Sequence, residues 1–227
     1  GSGEPTLCLG LGELIAGIHA LTDAPVCCIT NGSLLWRQDV QDELMGLSRI
    51  VPSLDAGSPE VWRLVKRPAP GLDFDTMVDG LVAFRRRFKG EYRLEMFLID
   101  GLNDSCEEMC RMAELVRRIN PDAVDLNTAV RPTAVKTVRA VPRATLERFA
   151  EILGNTAHII ADFGAKSAGT TLPSVAVIVS ALARHPSTTD GLATALNADA
   201  AQLASALERL RAAGTIRQTV RDIIKYF

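Results

Sequence analysis

The stretch Gly1-Ser2-Gly3-Glu4-Pro5-Thr6-Leu7 opens the chain and stands directly before an apolar helix pattern. Glycine lets a backbone approach a ligand closely, and a carboxylate offers two acceptor oxygens to an ammonium group. The stretch therefore predicts a turn in which Glu4 accepts hydrogen bonds from a positively charged ligand group. Gly1 and Ser2 fit the remnant of a purification tag equally well, so the prediction rests on Gly3, Glu4 and Pro5.

Outward from this turn, helical apolar patterns alternate with short apolar runs that are typical of buried strands. Helices are predicted at 11–21, 38–47, 73–88, 105–119 and 143–153, and strands at 24–32, 48–57, 92–99 and 122–128. Ser105 and Glu108 are expected to form a capping box at the start of the fourth helix. Repeated strand–helix units of this kind predict a parallel sheet.

Polar residues follow every predicted strand. Ligands of parallel α/β folds bind at the carboxyl ends of the strands, so a succession of polar ends favours a ligand-facing rim over solvated loops. The residues at these ends are Thr30, Asn31, Ser53, Asp55, Asn103, Asn127 and Thr128, in addition to the opening turn.

Composition sets limits on the class of protein. The chain has 227 residues, of which 47% are hydrophobic, enough for one large domain or for a medium and a small one. A net charge of −2 argues against polyanion binding as the main role of the whole chain. No signal-peptide pattern or apolar run of about 18 residues is present, which predicts a cytoplasmic protein without a membrane partner.

The five cysteines do not suggest a disulfide framework, because their number is odd and two are adjacent. Cys27 and Cys28 are expected to pack as small core residues. Cys106 and Cys110 could share a metal ion, but no third cysteine or histidine lies nearby. No metal ligand is therefore predicted in this chain.

A small-residue linker at 163–171 separates a second region. We expect a first domain at 1–165 and a second at 170–227. Three helical patterns followed by alternating residues from Ile216 to Phe227 predict a winged helix-turn-helix domain. Its candidate nucleic-acid contacts are Gln202 for a base and Arg217, Arg221 and Lys225 for phosphates. The third helix is rich in alanine, so a structural or protein-contact role is slightly favoured over specific DNA binding.

Four stretches, residues 1–7, 29–35, 52–57 and 126–128, together resemble motifs of radical S-adenosylmethionine (SAM) proteins in the same order. The nearest group is the Fe–S oxidoreductases that are similar to wyosine tRNA-base synthesis enzymes. The resemblance covers roughly residues 1–155 and implies a partial (β/α)6 barrel. It implies that the turn at Gly3, Glu4 and Pro5 holds the SAM amino group, beside Thr30 and Asn31. The ribose would lie near Ser53 and Asp55, and the methionine and adenine parts near Asn103, Asn127 and Thr128.

One feature of that family is missing from the chain. The family holds a [4Fe–4S] cluster with Cys-x-x-x-Cys-x-x-Cys, in which three thiolates bind three irons and the fourth iron binds SAM. Cys106 and Cys110 have the first spacing, but position 113 is alanine. The chain is therefore expected to be a fragment, inactive alone, whose cluster ligands and first strand lie upstream. A native cluster-free relative is the alternative.

The resemblance implies that the full-length protein takes an electron from a donor, cleaves SAM reductively and uses the radical on an unknown substrate. A tRNA base is one candidate. Lys66, Arg67 and Arg131 could bind a phosphate or carboxylate of the substrate, or could be solvated surface charges. Two other functions remain open. One is a cluster-free barrel that binds tRNA or DNA through its winged helix, and the other is a barrel that binds a nucleotide-like ligand without redox chemistry.

Overall fold

The computed structural model describes residues 3–130, 137–161, 172–184, 187–196, 198–217, 219–221 and 224–226. The chain divides into two compact units, Gly1–Phe163 and Gly164–Phe227.

The first unit alternates strands and helices along the chain. After a 3₁₀ turn at Pro5–Leu7 come α1 (Leu11–Leu21), β1 (Cys27–Thr30), α2 (Gln38–Glu43), β2 (Arg49–Pro52), α3 (Pro59–Lys66), α4 (Phe74–Arg87), β3 (Glu91–Leu98), α5 (Cys106–Ile119), β4 (Ala123–Thr128), α6 (Arg143–Leu153), a second 3₁₀ turn at Gly154–Thr156, and β5 (Ala157–Ile159). The described strands form one parallel sheet in the order β1-β2-β3-β4-β5. The predicted α/β class with a parallel sheet is confirmed.

The two faces of this sheet differ in chemistry because side chains alternate along each strand. In β3, Tyr92, Leu94, Met96 and Leu98 are fully buried. They belong to one continuous core with Phe84 of α4 and Met109 of α5. This apolar face explains why the helices lie against the sheet: each packs its apolar side onto it.

The sequence patterns did not predict α3 or β5. A serine followed by a proline is a common helix start, and Ser58 and Pro59 begin α3 in this way. That signal was hidden because residues 57–72 also contain three prolines and read as a loop. The strand β5 has only three residues, too few for a period-two pattern. The second predicted helix is also shorter than expected, since its regular part ends at Glu43.

The second unit contains α7 (Val175–Arg184), α8 (Thr189–Leu196) and α9 (Ala200–Ala212), followed by an antiparallel pair of short strands, β6 (Thr219–Arg221) and β7 (Ile224–Tyr226). Ile178, Leu192, Leu203 and Leu207 form its core. The side chain of Asp199 accepts a hydrogen bond from the Gln202 backbone N–H and so caps α9. None of the described helices is both long and apolar enough to cross a membrane.

Candidate functional site

Glu4 ties the opening turn to the end of β1. Its Oε1 accepts hydrogen bonds from Thr6 N (3.1 Å), Thr6 Oγ1 (2.7 Å) and Thr30 Oγ1 (2.5 Å), and its Oε2 accepts one from Asn31 N (2.7 Å). Thr6 and Thr30 are buried, whereas Glu4 is half-buried. A carboxylate oxygen has about two lone-pair directions, so Oε2 keeps acceptor capacity while Oε1 is saturated.

The turn after β1 requires glycine. Gly32 has φ of +75°, a left-handed conformation that costs little for glycine and more for other residues. Asn31 Oδ1 accepts the Ser33 backbone N–H at 2.9 Å, which fixes the side chain of Asn31. The predicted pair Thr30 and Asn31 therefore lies beside Glu4. Gly3 differs from Gly32, because a Cβ at Gly3 would have no protein atom within 4 Å.

A cavity of about 350 Å³ opens beside Glu4. It brings together four of the residues predicted from the sequence, Glu4, Asn31, Lys66 and Arg67. Its other lining residues are Leu7, Ser33, Leu34, Trp62, Pro68, Ala69, Pro70 and Leu72. This volume lies in the range of small-molecule sites.

Asp55 follows β2 and is 5% exposed. Its Oδ1 accepts the Phe97 backbone N–H at 2.7 Å, and its Oδ2 forms an ion pair with Lys66. Both carboxylate oxygens are therefore engaged by the protein. A ligand contact to Asp55 would replace or share the ion pair with Lys66.

Asn103 holds the ends of β2 and β3 together and is fully buried. Its Nδ2 donates to the carbonyl oxygens of Asp55 (2.8 Å) and Phe97 (2.9 Å), and its Oδ1 accepts the Ile99 backbone N–H (2.6 Å). The structure thus gives Asn103 a scaffolding position with three internal partners. Ser53 is simpler, since its Oγ lies 3.4 Å from the carbonyl oxygen of Thr30.

The end of β4 also carries one residue with only internal partners and one residue on the polar side of the sheet. Thr128, 2% exposed, donates to the Leu98 carbonyl (2.8 Å) and accepts the Val141 backbone N–H (2.9 Å). Asn127 is half-buried and donates to Glu95 Oε1 at 3.0 Å. Asn127 therefore lies on the polar side of the sheet, while the hydroxyl of Thr128 is used by hydrogen bonds within the protein.

Glu108 does only half of what the capping-box pattern predicts. The Ser105 side chain accepts the Glu108 backbone N–H, as expected. The Glu108 carboxylate, however, reaches across to the loop before α3 and accepts the backbone N–H groups of Gly57 (2.6 Å) and Ser58 (3.0 Å). Gly57 allows this close approach, because a Cβ there would lie 2.5 Å from Arg111 Cβ.

We define the polar face of the sheet as Arg49, Glu91, Arg93, Glu95, Asp125 and Asn127. Of these residues only Asn127 was predicted from the sequence as a site residue. Arg93 forms a two-bond ion pair with Asp125 (2.8 and 2.5 Å) and contacts Glu91. Hydrogen bonds from Arg93 and Arg49 hold the pKa of Glu91 below its usual range, and the bonds to Asp125 raise that of Arg93. The sequence contained a signal for this face, because charged residues alternate with Tyr92, Leu94 and Met96 in the first part of β3.

The cysteines of the first unit do not form a metal site. Within the described residues, no group of three or more His, Cys, Asp or Glu could hold a metal ion. Burial raises the pKa of the Cys28 thiol to about 11, with a smaller contribution from the negative charge of Glu4. Cys28 is buried as predicted, but Cys27 is exposed, so the prediction that both pack in the core is wrong for Cys27.

The remaining predicted residues are not among those that line the cavity, or lie outside the described structure. Pro5 begins the first 3₁₀ turn. Arg131 lies outside the described residues. Gln202 and Arg217 are exposed in the second unit, and Arg221 and Lys225 belong to β6 and β7. Their predicted ligand contacts stay predictions.

Comparison with known proteins agrees with the resemblance found in the sequence. Residues 1–113 match the sequence profile of the radical SAM superfamily. The "GTPase Obg" of Brachyspira hyodysenteriae is 38% identical over 231 residues, covering 100% of this chain and 34% of that protein. A UPF0026 protein of Methanocaldococcus jannaschii is 31% identical over 156 residues, covering 67% of this chain and 48% of the relative. The chain thus spans less than half the length of these relatives.

Two solved structures are similar in fold. A domain of pyruvate-formate lyase-activating enzyme from Bacteroides vulgatus aligns with a TM-score of 0.54 and 18% identity, over 70% of this chain and 95% of that domain. SuiB of Streptococcus suis bound to S-adenosylmethionine aligns with a TM-score of 0.53 and 15% identity, over 70% of this chain and 37% of SuiB. The five-stranded sheet therefore matches a partial barrel of this kind.

Proposed function

The chain belongs to the radical SAM superfamily through residues 1–113, and we propose that its first unit is the SAM-binding part of an enzyme that cleaves SAM reductively. Membership implies SAM and a [4Fe–4S] cluster as cofactors. The proposal rests above all on one observation: Glu4 stands beside an open cavity and keeps acceptor capacity on Oε2.

The residues at the Glu4 end fit SAM. An ammonium group needs acceptors, which Oε2 of Glu4 provides, and the cavity offers room next to it. In our proposal Glu4 binds the amino group, and the hydrogen bonds from Thr6, Thr30 and Asn31 hold the carboxylate in place for it. Preorganisation of this kind avoids a reorganisation cost when the ligand binds.

The described residues do not fit the cluster. They contain no metal-binding group of three or more suitable side chains, so we derive no step through the cluster from them. In the superfamily the cluster supplies the electron that breaks a SAM sulfonium bond. We propose that its ligands come from outside the described residues; the chain spans less than half the length of the two relatives named above.

The polar face of the sheet is the proposed location of the reacting groups. Arg93, Glu95 and Asp125 place charge on this face. Arg93 is held by Asp125 and Glu91, and Glu95 accepts a hydrogen bond from Asn127, so their positions are fixed. Fixed charges and dipoles orient a bound substrate and cost no reorganisation during the reaction. The substrate is unknown; a tRNA base is our proposal by analogy with wyosine-type enzymes.

We also propose a winged helix-turn-helix for the second domain, 170–227, supported by the order of three helices and an antiparallel strand pair. Gln202, Arg217, Arg221 and Lys225 would contact RNA or DNA. A cluster-free adaptor that acts only through this domain is the second candidate function. It is favoured by the lack of a metal-binding group among the described residues.

The test is cleavage of SAM by the complete natural protein. It would be reconstituted with iron and sulfide without oxygen, reduced with dithionite and incubated with SAM. We expect 5′-deoxyadenosine in amounts well above a sample that lacks the cluster. A fully loaded [4Fe–4S] protein that forms none would remove the enzyme proposal. Salt-sensitive binding of tRNA or DNA would then favour the adaptor.

A further inference from the structure

The cavity beside Glu4 has more donors than acceptors among its polar groups. Its charged lining residues are one acid, Glu4, and two bases, Lys66 and Arg67. Lys66 is neutralised by Asp55. Arg67 is exposed and has no ion-pair partner among the described residues. The guanidinium of Arg67 is therefore an available positive charge at this cavity.

Two neutral donors add to this charge. Trp62 is only 4% exposed, and its indole N–H has no hydrogen-bond partner among the described residues. Among the described residues no buried side-chain nitrogen or oxygen lacks a partner, so the indole N–H of Trp62 is accessible and can donate to a ligand in the cavity that Trp62 lines. The side-chain oxygen of Asn31 is used by Ser33, which leaves the amide N–H groups of Asn31 as donors.

Apart from Ser33, the rest of the lining is apolar and includes Leu34, Leu72 and three residues of the loop at 68–70. Trp62 is held from behind by Phe74, with ring centroids 5.8 Å apart. An apolar wall with a few polar groups at one point is the usual form of a small-molecule site, in which the wall gives affinity and the polar groups give orientation.

We infer that this cavity binds an organic anion, with an apolar body against Leu34, Leu72 and Trp62 and a carboxylate or phosphate group that receives hydrogen bonds from Arg67. Arg67 suits this role because its planar fork can give two parallel bonds to either anion. The inference rests on the proposed function in naming this anion as the substrate, which would share the cavity with the part of SAM that Glu4 binds. The binding site itself follows from the cavity.

Isothermal titration of the 227-residue chain with four probes tests the inference. The probes are 4-phenylbutyrate, phenyl phosphate, the neutral 4-phenylbutan-1-ol and inorganic phosphate. We expect binding of at least one of the aromatic anions, and the stronger of the two identifies carboxylate or phosphate as the group. The alcohol lacks the charge and inorganic phosphate lacks the apolar body, so both should bind at least fivefold more weakly. Equal binding of the alcohol, or no binding of either aromatic anion, would overturn the inference.

Two variants locate the site. Arg67→Gln should lower the affinity for the preferred anion by about fivefold or more, since it removes the charge-assisted bonds. Arg63→Gln is the matched control, because Arg63 is exposed on α3, which ends just before Arg67, and does not line the cavity. Equal affinity of the two variants would contradict the assignment. In a Trp36→Phe background Trp62 is the single tryptophan, and its fluorescence should change at lower concentrations of the anion than of the alcohol.

This experiment is independent of the SAM-cleavage test, since it needs neither the cluster nor SAM. Anion binding without 5′-deoxyadenosine formation would leave the cavity assignment standing and remove the proposed enzyme. The reverse result would remove the cavity assignment alone.

Discussion

The carboxyl ends of two strands in the same sheet illustrate different uses of polar residues. At the end of β1, Glu4 is half-buried, has four internal donors and still keeps acceptor capacity on Oε2 beside a cavity. At the end of β3, Asn103 is fully buried and its amide is used by three backbone groups. Both belonged to one predicted set, the polar strand ends.

The difference teaches that polarity at a strand end has two physical causes. Loops that leave a parallel sheet carry backbone groups that must be paired once they are buried, and an asparagine or threonine can pair them. A ligand site also needs polar groups, but with capacity left over. Burial and the number of partners separate the two causes, and the sequence alone gives neither.

Asn103→Ala should have the largest effect. It would leave the Ile99 N–H and the carbonyl oxygens of Asp55 and Phe97 without their partner, which we expect to lower the free energy of unfolding by about 3 kcal/mol. Urea unfolding followed by tryptophan fluorescence would measure this, since both tryptophans lie in the first unit. Asn155→Ala, at an exposed position, is the control. A loss under about 1 kcal/mol would mean that Asn103 is not the scaffold described here.

Thr128→Val keeps the shape of the side chain and removes only its hydroxyl. Two buried bonds, to the Leu98 carbonyl and from the Val141 N–H, would be lost. We expect about 2 kcal/mol less stability in the same unfolding assay. Thr156→Val removes the hydroxyl of an exposed threonine and should change little. Equal effects of the two variants would argue against a scaffolding role for Thr128.

Glu4→Gln should destabilise less, by about 1 kcal/mol, because the glutamine oxygen can still accept some of the bonds and the site is partly open to water. The amide nitrogen would face the Asn31 N–H, so one bond must be lost. Glu60→Gln on the exposed start of α3 is the matched control. A loss of stability as large as that of Asn103→Ala would show that the polar residues at both strand ends are scaffolding.

The smallest effect concerns Cys28. Burial, and secondly the charge of Glu4, raise the pKa of this thiol to about 11. Because the thiolate is the reactive form, iodoacetamide at pH 8 should label Cys8, Cys106 and Cys110 well before Cys28. Removing the charge in Glu4→Gln lowers the pKa, so labelling of Cys28 at pH 10 should become somewhat faster. Peptide mapping by mass spectrometry would show both; an unchanged rate would mean that Glu4 does not act on Cys28.

Much of the first unit follows from its sequence. The strand at 92–99 was predictable because it is a short apolar run interrupted only by Arg93 and Glu95, and α5 because Ser105 marks its start. The reach of Glu108 to Gly57 and Ser58 was not predictable, since it joins residues about fifty positions apart. The ion pair of Asp55 with Lys66 depends likewise on how α3 folds back. Local patterns carry no information on such partners.

The central claim is that the Glu4 end binds SAM, and the most direct test is SAM affinity. The complete natural protein, reconstituted with its cluster, would be titrated with SAM alongside Glu4→Gln and Glu60→Gln. Loss of a charge-assisted bond to the amino group predicts about tenfold weaker binding for Glu4→Gln and no change for Glu60→Gln. The same affinity for all three proteins would contradict the claim.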